Sequence, residues 1–268
     1  MLKWLTYILT FTVIISCTEE QKKSNLNNHS LNSAGFTITY TDNVYNKKYG
    51  SCLNNVDCAE VNIIYPQLTG ESEVLKLINN SLLSQLLKDN DEDIPYNSFD
   101  EIADSLFSQY ENLQKEFSDY KTAWSIEKNM SVSGVVNNFI TFKNEIIIYT
   151  GGANNYYNVV LTVFDLETGE QQSLRNFINP EKINELLKIG EKRFKIIKEI
   201  PEDTTLKGTG FWFNGDAFYL PENFAVTDSG FVFFYNLYEI APRSEGITEL
   251  FISKDKLNSI LKSKSIYH

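Results

Sequence analysis

The sequence predicts an α+β protein with antiparallel sheets, helices packed on one face, and two sequential subdomains. Strand-like segments with alternating apolar and polar residues follow one another as hairpins, without repeated βαβ units. Two segments, 72–88 and 99–117, place apolar residues at three-four spacing and predict helices. Strands and helices that are segregated along the chain in this way indicate α+β architecture.

Residues 1–16 are predicted to be a signal peptide that ends at a lipid-attachment cysteine. The stretch carries one cation, Lys3, and an apolar run that leads into Ser16 and Cys17, an arrangement that resembles a bacterial lipobox. It is shorter than the about 20 apolar residues of a spanning helix, which favours cleavage. A buried N-terminal helix is the alternative, which the polar stretch after Cys17 disfavours. We expect a lipoprotein that is anchored in the cell envelope, at the outer membrane. It would face either the periplasm or the cell surface.

The segment 17–33 is almost entirely polar and is predicted to be a flexible tether, because it lacks the apolar area that would offset its ordering entropy. The N-terminal subdomain is predicted over 34–148 and the C-terminal one over 149–268. Loss of Lys3 on cleavage moves the formal net charge from −11 to −12. An acidic chain without a Lys/Arg cluster disfavours nucleic acid as a partner and attracts a cationic protein.

The N-terminal subdomain begins with two predicted strands, 36–40 and 61–65, which flank a loop with two cysteines. The second helix, 99–117, has a well-marked start, because Ser98 followed by Glu101 is a capping box. A meander of three strands is predicted next, with a tight turn at Lys143-Asn144, over 122–128, 131–142 and 145–149.

The C-terminal subdomain is predicted to begin with a strand at 158–166, which ends in a turn that contains Gly169. Asn179 and Pro180 mark the start of a helix, because Asn caps helices and Pro suits the first turn. An uninterrupted apolar run at 231–235 predicts a strand that is covered on both faces. Two more strands and a closing helix are predicted at 223–227, 249–253 and 254–261.

Cys52 and Cys58 are predicted to form a short loop disulfide in an oxidising compartment. A zinc pair is the alternative, but two thiols are too few for a closed zinc site without nearby histidine. The two histidines, His29 and His268, lie in the predicted tether and at the last position. We therefore expect a folded body without the usual general base, and we predict neither a metal nor a cofactor.

Five short motifs occur in one order along the C-terminal half of the chain. They are Tyr149-Thr150-Gly151-Gly152-Ala153, Phe164-Asp165-Leu166-Glu167-Thr168-Gly169, Glu222-Asn223-Phe224, Thr227-Asp228-Ser229-Gly230, and Tyr238-Glu239-Ile240-Ala241-Pro242 with Glu245-Gly246. Together they resemble the bacterial extracytoplasmic domain of unknown function found in lysozyme-sensing anti-sigma factors and beside some peptidoglycan deacetylase domains. The resemblance covers 149–262, and 36–148 resembles the smaller domain that usually precedes it. It implies a cell-envelope domain without established catalysis.

The chain departs from that family's pattern at two places. Asn154 stands where the family usually has histidine, and Arg243-Ser244 replaces an aromatic-small pair, so no role of that histidine is carried over. The glycines of the first motif could allow a ligand to approach the backbone closely; the alternative is a bulge or corner between strands. Glu239 could contact a partner; the alternative is a local cap or ion pair. The candidate ligand-binding residues are Gly151, Gly152, Asn154, Tyr238, Glu239 and Glu245.

Four carboxylates form the candidate acid–base set: Asp165, Asp228, Glu239 and Glu245. Glycoside hydrolysis needs two carboxyl groups about 5 to 10 Å apart across a cleft. Turn-forming hydrogen bonds are the alternative for Asp165 and Asp228, which lie beside turn glycines. Trp124 and Trp212 are candidates for stacking on sugar rings, with burial in the core as the alternative.

The leading prediction is a lipid-anchored envelope protein that binds its ligand without catalysis. The expected ligand is a cell-wall glycan such as peptidoglycan, or a cationic protein such as lysozyme. The second hypothesis is a carboxylate-dependent hydrolase of envelope polysaccharide. A third is a structural subunit of an envelope complex, which would expose an apolar patch of more than a few hundred Å².

Overall fold

The computed structural model describes residues 28–33, 36–52, 56–88, 95–262 and 266–267. The predicted signal peptide, Cys17, the first part of the tether and His268 lie outside these residues. Seven strands form one sheet in their sequence order. They are β1 (Asn28–Ser33), β2 (Phe36–Gly50), β3 (Cys58–Thr69), β4 (Trp124–Val136), β5 (Phe139–Tyr149), β6 (Tyr156–Asp165) and β7 (Gln171–Gln172).

β1 lies in the segment that the sequence predicts to be a flexible tether. It pairs antiparallel with β2, and His29 Nε2 lies 2.8 Å from an Asp42 carboxylate oxygen. The His29 ring also stacks on Tyr40, with 4.7 Å between ring centroids. The tether prediction is therefore wrong for Asn28–Ser33, and His29 belongs to the sheet. The strand is polar and is ordered by its pairing with β2. Hydrophobic patterning cannot reveal such a strand.

Two helices lie between β3 and β4, which pair in parallel, whereas all other neighbours in this sheet are antiparallel. They are α1 (Glu73–Leu86) and α2 (Phe99–Glu116). Both pack on one face of the sheet, where Leu82 and Leu106 join Val61 in one core. Each such fully buried aliphatic side chain stabilises the fold by about 1.5–3 kcal/mol. The α+β class is confirmed, and α1 and α2 share one face of the sheet.

The start of α2 follows the predicted capping box in one half only. Ser98 Oγ accepts a hydrogen bond from the Glu101 amide at 3.2 Å, as predicted. The Glu101 carboxylate, however, accepts from the amide of Asn97 at 2.7 Å, one residue before the cap. The first bond satisfies a donor that the helix itself leaves open, and the second ties the residue before the cap to the first turn. The sequence signal is therefore valid although the reciprocal partner is shifted.

A second layer covers the opposite face of the sheet over β4 to β6. It contains an antiparallel three-stranded sheet and three helices. These elements are α3 (Leu174–Phe177), α4 (Ile183–Ile197), β8 (Phe224–Thr227), β9 (Gly230–Tyr235), β10 (Thr248–Ser253) and α5 (Lys254–Leu257). Phe231 and Phe233 lie in the aromatic core under α4, while Val232 and Phe234 pack towards β6. The prediction that this strand is covered on both faces is confirmed.

The large sheet continues across the predicted boundary between the subdomains at 148/149. β5 ends at Tyr149 and β6 begins at Tyr156, and the two strands are paired along their length. The loop between them, 150–155, carries the first of the five motifs. The two halves of the chain therefore share one sheet, and the loop that joins them connects the ends of two neighbouring strands.

The β4–β5 hairpin differs from the predicted meander. The tight turn lies at Asn137-Asn138, where Asn137 has a φ of 51°, and not at Lys143-Asn144. Asn144 is buried inside β5. Asn tolerates the left-handed conformation that a two-residue hairpin turn requires, so the Asn-Asn pair was the valid signal. In the described part of the chain, no helix is long and apolar enough to cross a membrane.

Candidate functional site

A groove with a volume of about 680 Å³ opens at the start of β3 and β4. It is lined by side chains from both strands, by the segment 119–123 that precedes β4, and by Tyr149 at the end of β5. Glu60 lies opposite Ser125, which lies opposite Tyr149 across the next pair of strands. Opposite residues share a face of a sheet, so these three line the groove on the face away from α1 and α2.

The charges that line the groove are mainly negative. Glu60, Asp119 and Glu127 contribute three carboxylates, against one cation from Lys121. Glu60 is partly engaged, since it accepts one hydrogen bond from Asn46 at 2.7 Å and forms an ion pair with Lys48 at 3.1 Å. A concave surface of one sign concentrates the field of its charges and favours an oppositely charged ligand.

The wall of the groove is made rigid by aromatic packing. Trp124 lines the groove and donates from Nε1 to the Tyr120 hydroxyl at 2.8 Å. Its ring lies 5.4 Å from that of Tyr110 in an edge-to-face arrangement, which is favourable for aromatic pairs. Trp124 is only 9% exposed, so its main role is in the core. Of the two roles expected for this side chain, burial therefore describes it better than stacking on a sugar ring.

The predicted disulfide is present and lies at the same end of the sheet. Cys52 and Cys58 are bonded, with 4.8 Å between their Cα atoms, and Cys58 lines the groove. Both sulfurs are used in this bond, so the alternative of a zinc pair is wrong. Among the described residues, no group of three or more His, Cys, Asp or Glu side chains is placed to hold a metal ion.

The two glycines of the first motif have different surroundings. Gly151 has a φ of 87°, and a Cβ at this position would overlap the Tyr120 hydroxyl that Trp124 contacts. This glycine is therefore required by packing behind the groove. A Cβ on Gly152 would lie 3.7 Å from the Asn154 carbonyl oxygen, an ordinary van der Waals contact, and both Gly152 and Asn154 are exposed. Ligand contact by these residues stays a prediction.

The second candidate loop follows β9 and is held by Glu239. The Glu239 carboxylate accepts from the Asn236 amide at 2.8 Å and from the Tyr219 hydroxyl at 3.3 Å. Burial, together with the nearby Glu239 charge, raises the pKa of Tyr219 to about 12. Glu239 thus has a local structural role, the alternative to partner contact that the sequence left open. Tyr238 and Glu245, in contrast, are exposed.

The two candidate loops are joined directly. Arg243 donates from Nη1 to the Asn155 carbonyl at 2.9 Å and from Nη2 to the Asn155 side-chain oxygen at 2.8 Å. Arg243 is one of the two positions at which the chain departs from the family's pattern. The structure therefore brings the Gly151 loop and the loop that carries Tyr238 and Glu245 into contact through a residue that sequence reasoning set aside.

Two asparagines fasten the second layer to the edge of β6. Asn223 donates to the Val159 carbonyl at 2.8 Å and accepts from the Leu161 amide at 2.7 Å. Asn236 accepts from the Val159 amide at 2.8 Å. These side-chain amides take the place of a neighbouring strand. Sequence reasoning missed this role, although Asn223 lies in the third motif.

The four candidate acids do not form a pair. Asp165 accepts from the Glu167 amide at 2.7 Å in the turn after β6, and Asp228 is exposed in the β8–β9 turn. Glu239 and Glu245 lie in the loop after β9, where Glu239 is engaged in its two hydrogen bonds. The carboxylates that share a concave surface are those of Glu60, Asp119 and Glu127 in the groove. Sequence reasoning did not identify them. The one sequence signal for this site was Tyr149, which lines the groove and opens the first motif.

Comparisons with known proteins agree with this architecture. Residues 175–255 match the family model described as a protein of unknown function (DUF3298), and residues 52–157 match the model described as deacetylase PdaC. The resemblance predicted from the five motifs is confirmed to this extent. No curated protein matches the chain by sequence.

Solved structures share the fold. The crystal structure of a DUF3298 family member from Bacteroides fragilis is similar with a TM-score of 0.67 and 16% identity, over 86% of this chain and 96% of that chain. The structure of a DUF3298 family protein from Pseudomonas aeruginosa is similar with a TM-score of 0.61 and 17% identity, over 91% of this chain and 97% of that chain.

Proposed function

We propose that this chain is a lipid-anchored binding protein of the cell envelope that receives a basic segment of a cationic protein in the groove, without catalysis. The observation that supports this most is the lining of the groove, with three carboxylates against one lysine. Of the two ligands expected from the sequence, the cationic protein fits this lining better than a neutral glycan chain.

Long-range electrostatics support the same choice. The formal net charge of the whole chain is −11, so a cationic partner is attracted before it reaches the groove. Charge complementarity of this kind raises the association rate and weakens as salt is added. The match to DUF3298 and the predicted lipid anchor at Cys17 support a location in the envelope, where lysozyme is an example of such a partner.

Calorimetric titration with lysozyme tests the proposal. The test variant combines Glu60→Gln, Asp119→Asn and Glu127→Gln, which keeps the shape of the groove and removes its negative charge. The control variant removes three exposed carboxylates elsewhere, with Glu71→Gln, Asp203→Asn and Glu249→Gln. We expect the test variant to lose at least tenfold in affinity and the control to lose much less.

Two results would defeat the proposal. One is no binding of lysozyme to the unaltered protein at low salt. The other is an equal loss of affinity in both triple variants, since that would mean that net charge alone, and not the groove, attracts the partner. Titration with soluble peptidoglycan fragments in parallel separates binding of protein from binding of glycan.

A further inference from the structure

Two large aromatic side chains are exposed on neighbouring segments outside the groove. Trp212 is 51% exposed and Tyr238 is 58% exposed. The Trp212 amide donates to the carbonyl of Ile240 at 2.7 Å, so the segment that carries Trp212 runs beside the one that carries Tyr238. Neither ring lines the groove.

The exposure of Trp212 is fixed by its neighbours in the sequence. Phe211 and Phe213 both pack on Phe194, with 5.0 and 5.2 Å between ring centroids. The side chain between them is directed away from this core. Trp212 thus projects from a segment that is anchored on both sides, and its ring does not depend on a flexible loop for its position.

Tyr238 is held in an unfavourable backbone conformation. Its φ is 64°, in the left-handed region that costs free energy for a bulky residue. The conformation is maintained on both sides, because the Glu239 carboxylate accepts from the Asn236 amide and Asn236 is bonded to β6. Strain that is held in place and directs an exposed ring outward is typical of binding sites.

The surroundings of the two rings indicate the class of ligand. Asn214 and Gly215, which follow Phe213, are exposed, and the Glu239 side chain next to Tyr238 is engaged in the turn. A protein interface needs a contiguous surface of about 800 Å² per partner with an apolar centre. Isolated rings among polar groups suit a pyranose instead, which offers a face of C–H groups and a rim of hydroxyls.

We propose that Trp212 and Tyr238 form a saccharide-binding surface, separate from the groove, on which the sugar rings of a neutral glycan chain stack. This surface would give the protein a second ligand class beside the cationic protein. The rings supply stacking area at a low entropic cost, because the backbone that carries them is already held by the Phe194 core and by the turn at Asn236.

The test uses the chitin oligosaccharide chitotetraose as the probe, with binding measured by calorimetry and by the change in tryptophan fluorescence. Trp212→Ala and Tyr238→Ala should each weaken binding about tenfold or more. Phe117→Ala is the matched control, because Phe117 is 54% exposed at the end of α2 and should leave affinity unchanged. The groove triple variant should also bind chitotetraose normally, which separates this surface from the proposed function.

Tyr238→Gly distinguishes a binding role from a structural one. Glycine accepts the left-handed conformation, so this variant should unfold at a higher temperature while its affinity for chitotetraose falls like that of Tyr238→Ala. The proposal is overturned if the unaltered protein does not bind chitotetraose at millimolar concentrations, or if Trp212→Ala and Tyr238→Gly bind it as the unaltered protein does.

Discussion

Arg243 holds Asn155 by two hydrogen bonds, one to its backbone carbonyl at 2.9 Å and one to its side-chain oxygen at 2.8 Å. This contact joins two loops that lie 88 positions apart in the sequence. One loop continues from Tyr149 at the groove, and the other carries the exposed Tyr238. The two proposed binding surfaces are therefore linked through a single arginine.

Replacement of Arg243 by alanine should destabilise the protein by about 2 kcal/mol. A hydrogen bond to a charged group contributes about 1.5–3 kcal/mol, and the two bonds of this partly exposed arginine do not add in full. Lysine should restore only part of this, since it lacks the forked geometry that reaches both oxygens. Urea unfolding measures the difference. The exposed Arg175→Ala is the control, and an equal effect of both alanine variants would mean that the Asn155 contact contributes nothing.

Asn223→Ala should cost about 1–3 kcal/mol of unfolding free energy. The change leaves the Leu161 amide without its partner, whereas the Val159 carbonyl keeps the hydrogen bond that it accepts from Asn236 Nδ2 at 2.9 Å. Hydrogen exchange should accelerate at the Leu161 amide in particular. The exposed Asn214→Ala serves as the control. Unchanged exchange at Leu161 would show that Asn223 does not act as a substitute strand.

Gly151→Ala should destabilise the protein by about 2 kcal/mol or more, whereas Gly152→Ala should have little effect. A side chain at Gly151 needs a left-handed backbone and overlaps the Tyr120 hydroxyl, whereas a Cβ on Gly152 would make only an ordinary contact of 3.7 Å with the Asn154 carbonyl oxygen. Thermal unfolding compares the two. Tyr120→Phe in the Gly151→Ala background removes the overlapping oxygen and should recover part of the loss; no recovery would refute the proposed contact.

Stability at alkaline pH should depend on Tyr219. Burial and the Glu239 carboxylate raise its pKa from 10.0 to about 12 in the folded protein. Its contribution is therefore complete below pH 10 and is lost as the pH rises towards 12, because the unfolded chain releases the proton first. Urea unfolding should show a smaller loss of stability between pH 10 and pH 12 in Tyr219→Phe than in the unaltered protein. An identical loss in both proteins would contradict this assignment.

Helices and buried strands could be predicted from the sequence because their signals are local. α2 begins at Ser98 as the capping pattern predicts, and the apolar run at 231–235 forms a strand that is covered on both faces. The Asn-Asn turn of the β4–β5 hairpin has a local signal too, but the polar pair Lys143-Asn144, which lies inside β5, carries a competing turn signal.

The remaining features depend on contacts that are distant in the sequence. The polar strand Asn28–Ser33 is ordered by pairing with β2. The groove forms because β3 and β4 pair in parallel across two helices, which places Glu60 opposite Ser125. No periodicity in the chain reports that pairing. The two candidate loops could be identified because they carry motifs. The groove carboxylates Glu60, Asp119 and Glu127 belong to no motif.

Binding of a cationic partner in the groove is tested most directly by mapping where lysozyme protects the protein from hydrogen exchange. We predict slower exchange at 58–61 and 119–127, the segments that line the groove, and little change at 211–215 and 236–246. Protection that is confined to the latter segments, or absent while lysozyme is bound, would show that the groove does not receive the cationic partner.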